Sequence, residues 1–173
     1  KKVLNIAPQR QLPALHPFTL RSWYKKWKPQ NAGNKGTVYF FCDEFTNYND
    51  VEAGIQTIQL LNALGYRVLM PPHAHSGRAH LSKGLLPQAQ QLAWQNIATF
   101  KPLITPQTPL VGVEPSALLS FRDEYPRLAG REMQADADSI AANTFLIDEF
   151  IYSEAQKGNI FPELFTTQPR HIL

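Results

Sequence analysis

Thr37-Val38-Tyr39-Phe40-Phe41-Cys42 is the stretch on which the fold turns. It is a continuous run of β-favouring residues with no charge, the pattern of a strand covered on both faces. Tyr66-Arg67-Val68-Leu69-Met70 and Leu110-Val111-Gly112-Val113 read as two further strands. Helical patterns separate them. Val51, Ile55, Ile58 and Leu61 recur at helical spacing, with Asn49 or Asp50 as cap and Gly65 as stop. Residues 81–104 are helical in tendency, and Gly84 and Pro87 place a restart near Pro87, with Leu92, Ile97 and Phe100 among the packing residues. Strand, helix, strand, helix, strand predicts right-handed crossovers. The fold class is α/β, a three-layer domain with a short, mostly parallel sheet flanked by helices.

Beyond the third strand, Pro115 suits the first turn of a helix over residues 116–125 that stops before Pro126. A long helix is expected over residues 138–155, from Ile140, Thr144, Ile147 and Ile151, with Gly158 as its stop. Arg170-His171-Ile172-Leu173 reads as the start of a fourth strand.

A length of 173 residues suits one domain with a real core. No run approaches the ~20 apolar residues of a bilayer span, and the amino-terminal residues show no signal-peptide pattern. The first residue is Lys1, which suggests a piece of a longer chain. A single cysteine rules out an internal disulfide and fits a cytoplasmic setting. The net charge of +3 conceals an asymmetry. Residues 1–35 hold eight of the 17 basic residues and no acidic one, leaving nine basic against 14 acidic residues, a net of −5, in the remainder. The division is therefore a basic Pro/Trp-containing linker arm, residues 1–35, and an α/β domain, residues 36–173. Basic segments with interleaved aromatics can bind nucleic acid or an anionic surface. The alternative is a connector whose Leu20, Trp23, Tyr24 and Trp27, on one face of a short helix, dock on its own domain; with that reading no nucleic-acid partner is expected.

In parallel α/β sheets, ligands sit at the carboxyl ends of the strands. Those ends carry Cys42, the histidine-rich Pro71-Pro72-His73-Ala74-His75-Ser76-Gly77-Arg78-Ala79-His80, and Glu114. No glycine-rich phosphate loop follows the first strand, where Cys42-Asp43-Glu44 is acidic, so a dinucleotide pyrophosphate is not expected. Thiolate, imidazole and carboxylate from Cys42, His75 and Glu114 are sound ligands for a single zinc or iron. A polar pocket is the other option, lined by His73, Ser76, Arg78, Asn47, Tyr48, Ser116 and Arg122, with Arg78 or Arg122 holding a carboxylate. Blander readings stand beside these. Cys42 can be an inert core residue, and His73 can serve its own loop backbone.

Several phrases resemble a known family: Phe41-Cys42-Asp43-Glu44-Phe45-Thr46-Asn47-Tyr48-Asn49, Ser76-Gly77-Arg78, Leu81-Ser82-Lys83-Gly84-Leu85-Leu86 and Val111-Gly112-Val113-Glu114-Pro115-Ser116 through Pro126, with Gln11-Leu12-Pro13 resembling its linker. The sequence is similar to the cysteine-rich CCG module found in heterodisulfide reductase and in the iron–sulfur subunit of anaerobic glycerol-3-phosphate dehydrogenase. It is most similar to the carboxyl-terminal region of bacterial fusions that join a FAD-linked oxidase domain, ferredoxin-like iron–sulfur motifs and this region. The resemblance implies an oxidoreductase parent acting on a 2-hydroxy acid such as lactate. FAD, iron–sulfur clusters and the partner domains would lie elsewhere in the same chain, and the fragment alone would not be catalytic. The module's pattern is one cysteine, then Cys-Cys-Gly, then Cys-x-x-Cys. These positions fall on Cys42, on His75-Ser76-Gly77 and on Glu114-Pro115-Ser116-Ala117, so only Cys42 and Gly77 remain. Three outcomes follow: a degenerate scaffold module that has lost its cluster, a mononuclear metal site, or a pocket for a substrate or redox partner.

Overall fold

The computed structural model describes residue 7 and residues 13–168. The amino-terminal α1, Leu20–Tyr24, begins at Thr19, whose side chain accepts the Ser22 amide. The chain then alternates: β1 Gly36–Phe40, α2 Glu44–Tyr48, α3 Val51–Ala63, β2 Tyr66–Leu69, α4 Arg78–Ser82 and α5 Leu86–Phe100. It continues with β3 Leu110–Gly112, α6 Pro115–Leu118, α7 Ser120–Asp123, α8 Tyr125–Leu128, α9 Gly130–Ala142, β4 Thr144–Leu146 and α10 Ile147–Gln156. A 3-10 turn, Pro162–Leu164, follows. The four strands form one sheet in the order β2-β1-β3-β4, parallel throughout.

The alternation of side chains along β1 divides the core. Val38, Phe40 and Cys42 pack with Ile55, Ile58 and Leu61 of α3 and Phe150 of α10. Phe41 points the other way, to Ala93, Ile97 and Phe100 of α5 and to Ala117, Leu118, Phe121 and Tyr125 of α6–α8. The sheet is thus the middle of three layers, as the β/α alternation requires. Leu20 of α1 is fully buried in the first cluster, and Trp23, Tyr24 and Trp27 pack against it. Five helical residues cannot hold a helix alone in water, so this docked apolar face keeps α1 formed.

Two expectations change. Residues 138–155 do not form one helix. Helix α9 ends at Ala142, β4 occupies Thr144–Leu146 beside β3, and α10 starts at Ile147. Ile140, Thr144, Ile147 and Ile151 do stand at helical spacing, but a three-residue strand is too short to disturb that phase. Likewise the helix expected over residues 116–125 is three short turns, and Pro126 opens α8 instead of ending its predecessor. Proline lacks only an N–H that the first turn of a helix would leave unpaired anyway. The fourth strand expected at residues 170–173, and Gln11-Leu12 of the arm, lie outside the described residues.

Candidate functional site

Strands β1 and β3 are neighbours, yet their outgoing connections go to opposite layers: β1 leads to α3, β3 to α6–α9. Such a switch point opens a crevice at the carboxyl ends of the two strands, where α/β sheets place their sites. Cys42 and Asp43 leave β1 there, Glu114 leaves β3, and the loop after β2 brings His73.

Cys42 is 4% exposed, and its thiol donates to Asn47 Oδ1 at 3.5 Å. Burial pushes the thiol up to about 12; Arg21 opposes this, and Asp43 and Glu44 add to it. The thiol therefore stays protonated at neutral pH, the form that is a poor nucleophile. The Cys42 amide donates to His73 Nε2 at 3.1 Å, and Arg21 Nη2 lies 2.8 Å from the same nitrogen. His73 Nδ1 lies 2.7 Å from the Ala74 carbonyl. A nitrogen facing two donors must offer its lone pair, so the proton is assigned to Nδ1, from which it is donated to Ala74. Burial, and then Arg21, lower this imidazole to about 4, and its ring stacks on Phe41 at 4.4 Å. His73 is a neutral clamp between the exits of β1 and β2.

The carboxylates are engaged as well. Asp43, 2% exposed, caps α2 by accepting the Thr46 amide at 2.8 Å and the Thr46 hydroxyl. Burial raises its pKa against those hydrogen bonds, with the Glu114 and Glu44 charges adding. Glu44 Oε1 accepts the Ser76 amide at 2.7 Å and the Ser76 hydroxyl at 3.0 Å. Glu114 accepts the Ser116 and Ala117 amides at 3.2 and 2.6 Å. Behind the histidine loop, Tyr125 donates its hydroxyl to the Ser76 carbonyl, and Asn96 Nδ2 donates to the His75 carbonyl and to the Tyr125 oxygen. Gly77 turns the loop into α4 with φ 77°, the left-handed region that a glycine enters at no steric cost.

Of the residues expected from the sequence, Cys42, His73, Asn47 and Ser76 belong to this linked network. His75 does not enter it: its side chain is 65% exposed, with Nδ1 3.9 Å from Glu44. Tyr48 and Ser116 are exposed at its margin. Arg78 is paired with Glu124 at 2.6 Å and Arg122 with Glu149 at 2.7 Å, so each already holds a carboxylate of its own chain. Cys42, His75 and Glu114 are not brought together as a ligand set. Among the described residues, no group of three or more His, Cys, Asp or Glu side chains is placed to hold a metal. An iron–sulfur cluster, which takes several thiolates, does not fit a chain with one cysteine. Arg21, Asp43, Glu44, Asn96 and Tyr125 were not among the expected site residues. Asp43 three residues before Thr46 is a legible cap signal, whereas the Arg21 and Tyr125 contacts span 52 and 49 residues. No described helix is long and apolar enough to cross a membrane.

The chain is similar to two kinds of dehydrogenase. It is 26% identical over 161 residues to one subunit of the anaerobic glycerol-3-phosphate dehydrogenase of Escherichia coli K12, covering 92% of this chain and 40% of that one. It is 31% identical over 117 residues to D-2-hydroxyglutarate dehydrogenase of the same strain, covering 67% of this chain and 11% of the relative. The D-2-hydroxyglutarate dehydrogenase of Pseudomonas putida is 32% identical over 101 residues, 58% of this chain and 10% of the relative. The chain thus spans less than half the length of these relatives. No family model and no solved structure matches it.

Proposed function

We propose that the chain is a cysteine-depleted scaffold module of a FAD-linked, iron–sulfur-containing dehydrogenase that oxidises a 2-hydroxy acid. The similarity to two kinds of dehydrogenase supports a redox parent, and one of them is named for a 2-hydroxy acid. One observation carries the scaffold role. The sole thiol, at the crevice where the resemblance places a cluster ligand, is buried and hydrogen-bonded to Asn47, and its neighbours direct their polar atoms to one another. FAD, clusters and the residues that handle substrate then belong to other domains of the same polypeptide. This module supplies a rigid body for them to dock on.

The test is anaerobic reconstitution of the 173-residue chain with ferrous iron and sulfide, beside the Cys42→Ala variant. Iron and zinc are counted after gel filtration, and visible and electron paramagnetic resonance spectra are recorded. The expected result is no cluster signature and the same substoichiometric metal in both proteins. One equivalent of metal, or a cluster, that disappears with Cys42→Ala would overturn the scaffold role in favour of a metal centre.

A further inference from the structure

Strand β3 starts late. Its first residue, Leu110, pairs with Tyr39, so Gly36, Thr37 and Val38 of β1 have no partner from β3. The chain before β3 turns away through the Thr105–Thr108 bridge. The Tyr39 and Phe41 amides donate to the Pro109 and Val111 carbonyls. By the two-residue alternation of a strand, the Thr37 N–H and C=O face the same side, where they meet the gap instead of a strand. The gap is a cleft of about 220 Å³ at the amino ends of the strands, at the opposite end of the sheet from Cys42.

Its walls are mixed, with more apolar than polar surface. Pro106 and Pro109 line it from the β3 side, Phe145 from β4, and Phe150 from α10. The Phe150 ring is held edge-on to Tyr66 at 5.1 Å. Polar residues stand on both sides, Asn143 beside β3 and Ser153, Glu154 and Lys157 from α10 onward. On the α10 side the Tyr66 hydroxyl donates to Glu154 at 2.6 Å, and Glu154 also accepts from Lys157 at 2.8 Å and Asn159 at 2.7 Å. These satisfied groups fix the wall and leave the Thr37 backbone as the edge facing the cleft.

We propose that this cleft binds a small planar heterocycle of purine-base size, whose adjacent hydrogen-bond acceptor and donor pair with the Thr37 N–H and C=O. Backbone groups at fixed spacing select a ring edge with that pattern, while exposed Pro106 and half-buried Phe145 offer apolar contact to its faces. Size favours a single base over a dinucleotide, since about 220 Å³ is below the ~300–1,000 Å³ usual for drug-sized ligands. An extended peptide could use the same edge. However, the open edge is three residues, roughly 10 Å, and Pro106 and Pro109 line the side on which a second ladder would form. The inference is independent of the redox reading and concerns a different end of the sheet.

The test is titration of the ¹⁵N-labelled chain with adenine, and separately with an acetylated alanine tripeptide amide, followed by amide shifts and calorimetry. Adenine is expected to bind saturably, with the Thr37 amide among the largest shifts. Ser153→Trp, which fills the cleft from α10, should weaken binding at least tenfold, and Gln95→Trp on the exposed side of α5 should not. The proposal is overturned by absence of saturable binding, by shifts that spare Thr37, by undiminished binding to a folded Ser153→Trp variant, or by tripeptide binding at Thr37 without adenine binding. If Ser153→Trp does not fold, the shift map of the unsubstituted chain decides.

Discussion

The docking of α1 on the body is open to a sharp test, because Leu20 fills the space that a side chain at position 54 would need. Leu20 is fully buried. A methyl group at Gly54 would overlap Leu20 Cδ2 and come within 2.8 Å of Thr46 Cγ2. Leu20→Ala should cost about 2–5 kcal/mol, the range for emptying a buried leucine site. Gly54→Ala alone combines two opposed effects: about 1 kcal/mol gained in helix propensity and about 1–3 kcal/mol lost to overpacking. With Leu20 already truncated, the tightest overlap vanishes, the approach to Thr46 Cγ2 stays, and the helix gain remains. The double variant should therefore be more stable than the sum of the single changes by the Leu20 share of that overpacking, about 1 kcal/mol or more. Equilibrium urea unfolding, followed by tryptophan fluorescence and far-ultraviolet circular dichroism, measures this. Trp23 and Trp27 report on α1, so coincident curves also show that α1 unfolds with the sheet. Undocking α1 also withdraws Arg21 from His73, so Cys42 should react with a maleimide faster in Leu20→Ala than in the unsubstituted chain. Additivity within ~0.5 kcal/mol, or a Leu20→Ala cost below ~1 kcal/mol, would refute the docking.

Two further outcomes follow from the site. His73 titrates near 6.5 in an unfolded chain but resists protonation until about 4 in the folded one. Acid therefore favours the unfolded state: the His73 contribution is intact above pH 6.5 and is lost as pH falls toward 4. Asp43, with a raised pKa, acts in the opposite sense as acid is added, so the comparison is with His73→Gln, whose denaturation midpoint should change less between pH 6.5 and 4. Glu44→Ala leaves the buried Ser76 amide without its acceptor and should cost about 1–3 kcal/mol, whereas Arg122→Ala breaks a half-exposed pair and should cost under about 1 kcal/mol. Urea midpoints rank the two, and an Arg122→Ala cost equal to that of Glu44→Ala contradicts this account of the site.

The strands β1, β2 and β3 were legible because each is an apolar run closed by a turn signal, and their exits located the crevice from topology alone. Strand β4 was not legible. Three residues carry too little periodicity to separate a strand from a helix, and the pairing that makes them one comes from β3. Asn143, which ends α9, was the available local mark. The arm's helix and its apolar face were readable from Leu20, Trp23, Tyr24 and Trp27. That Arg21 on this helix would reach His73 was not, since nothing local specifies a partner 52 residues away. The same applies to Arg78 and Arg122, which look free in sequence and meet carboxylates 46 and 27 residues away.

On the proposed reading, the substitutions at the family's cysteine positions form a mechanically coherent set. A cluster held by several thiolates ties separate loops into one body, and its loss would leave the strand exits untethered. Here hydrogen bonds provide the ties. Glu44 links the exit of β1 to Ser76, His73 links β1 to the exit of β2, and Tyr125 and Asn96 anchor the His75-Ser76 backbone to α8 and α5. Each tie is worth about 1 kcal/mol net, but those to buried groups cost more than that to break, because the abandoned donor or acceptor has no water to turn to. Arg21 sets a cation beside Cys42 and His73, where Asp43 and Glu44 also bear on the thiol. On that reading the glycine at position 77 is kept because its turn needs φ 77° whether a cluster or a hydrogen bond holds the loop. The proposed loss of the cluster thus implies that geometry demanded by the backbone is kept, while hydrogen bonds take over the tying role of the thiols.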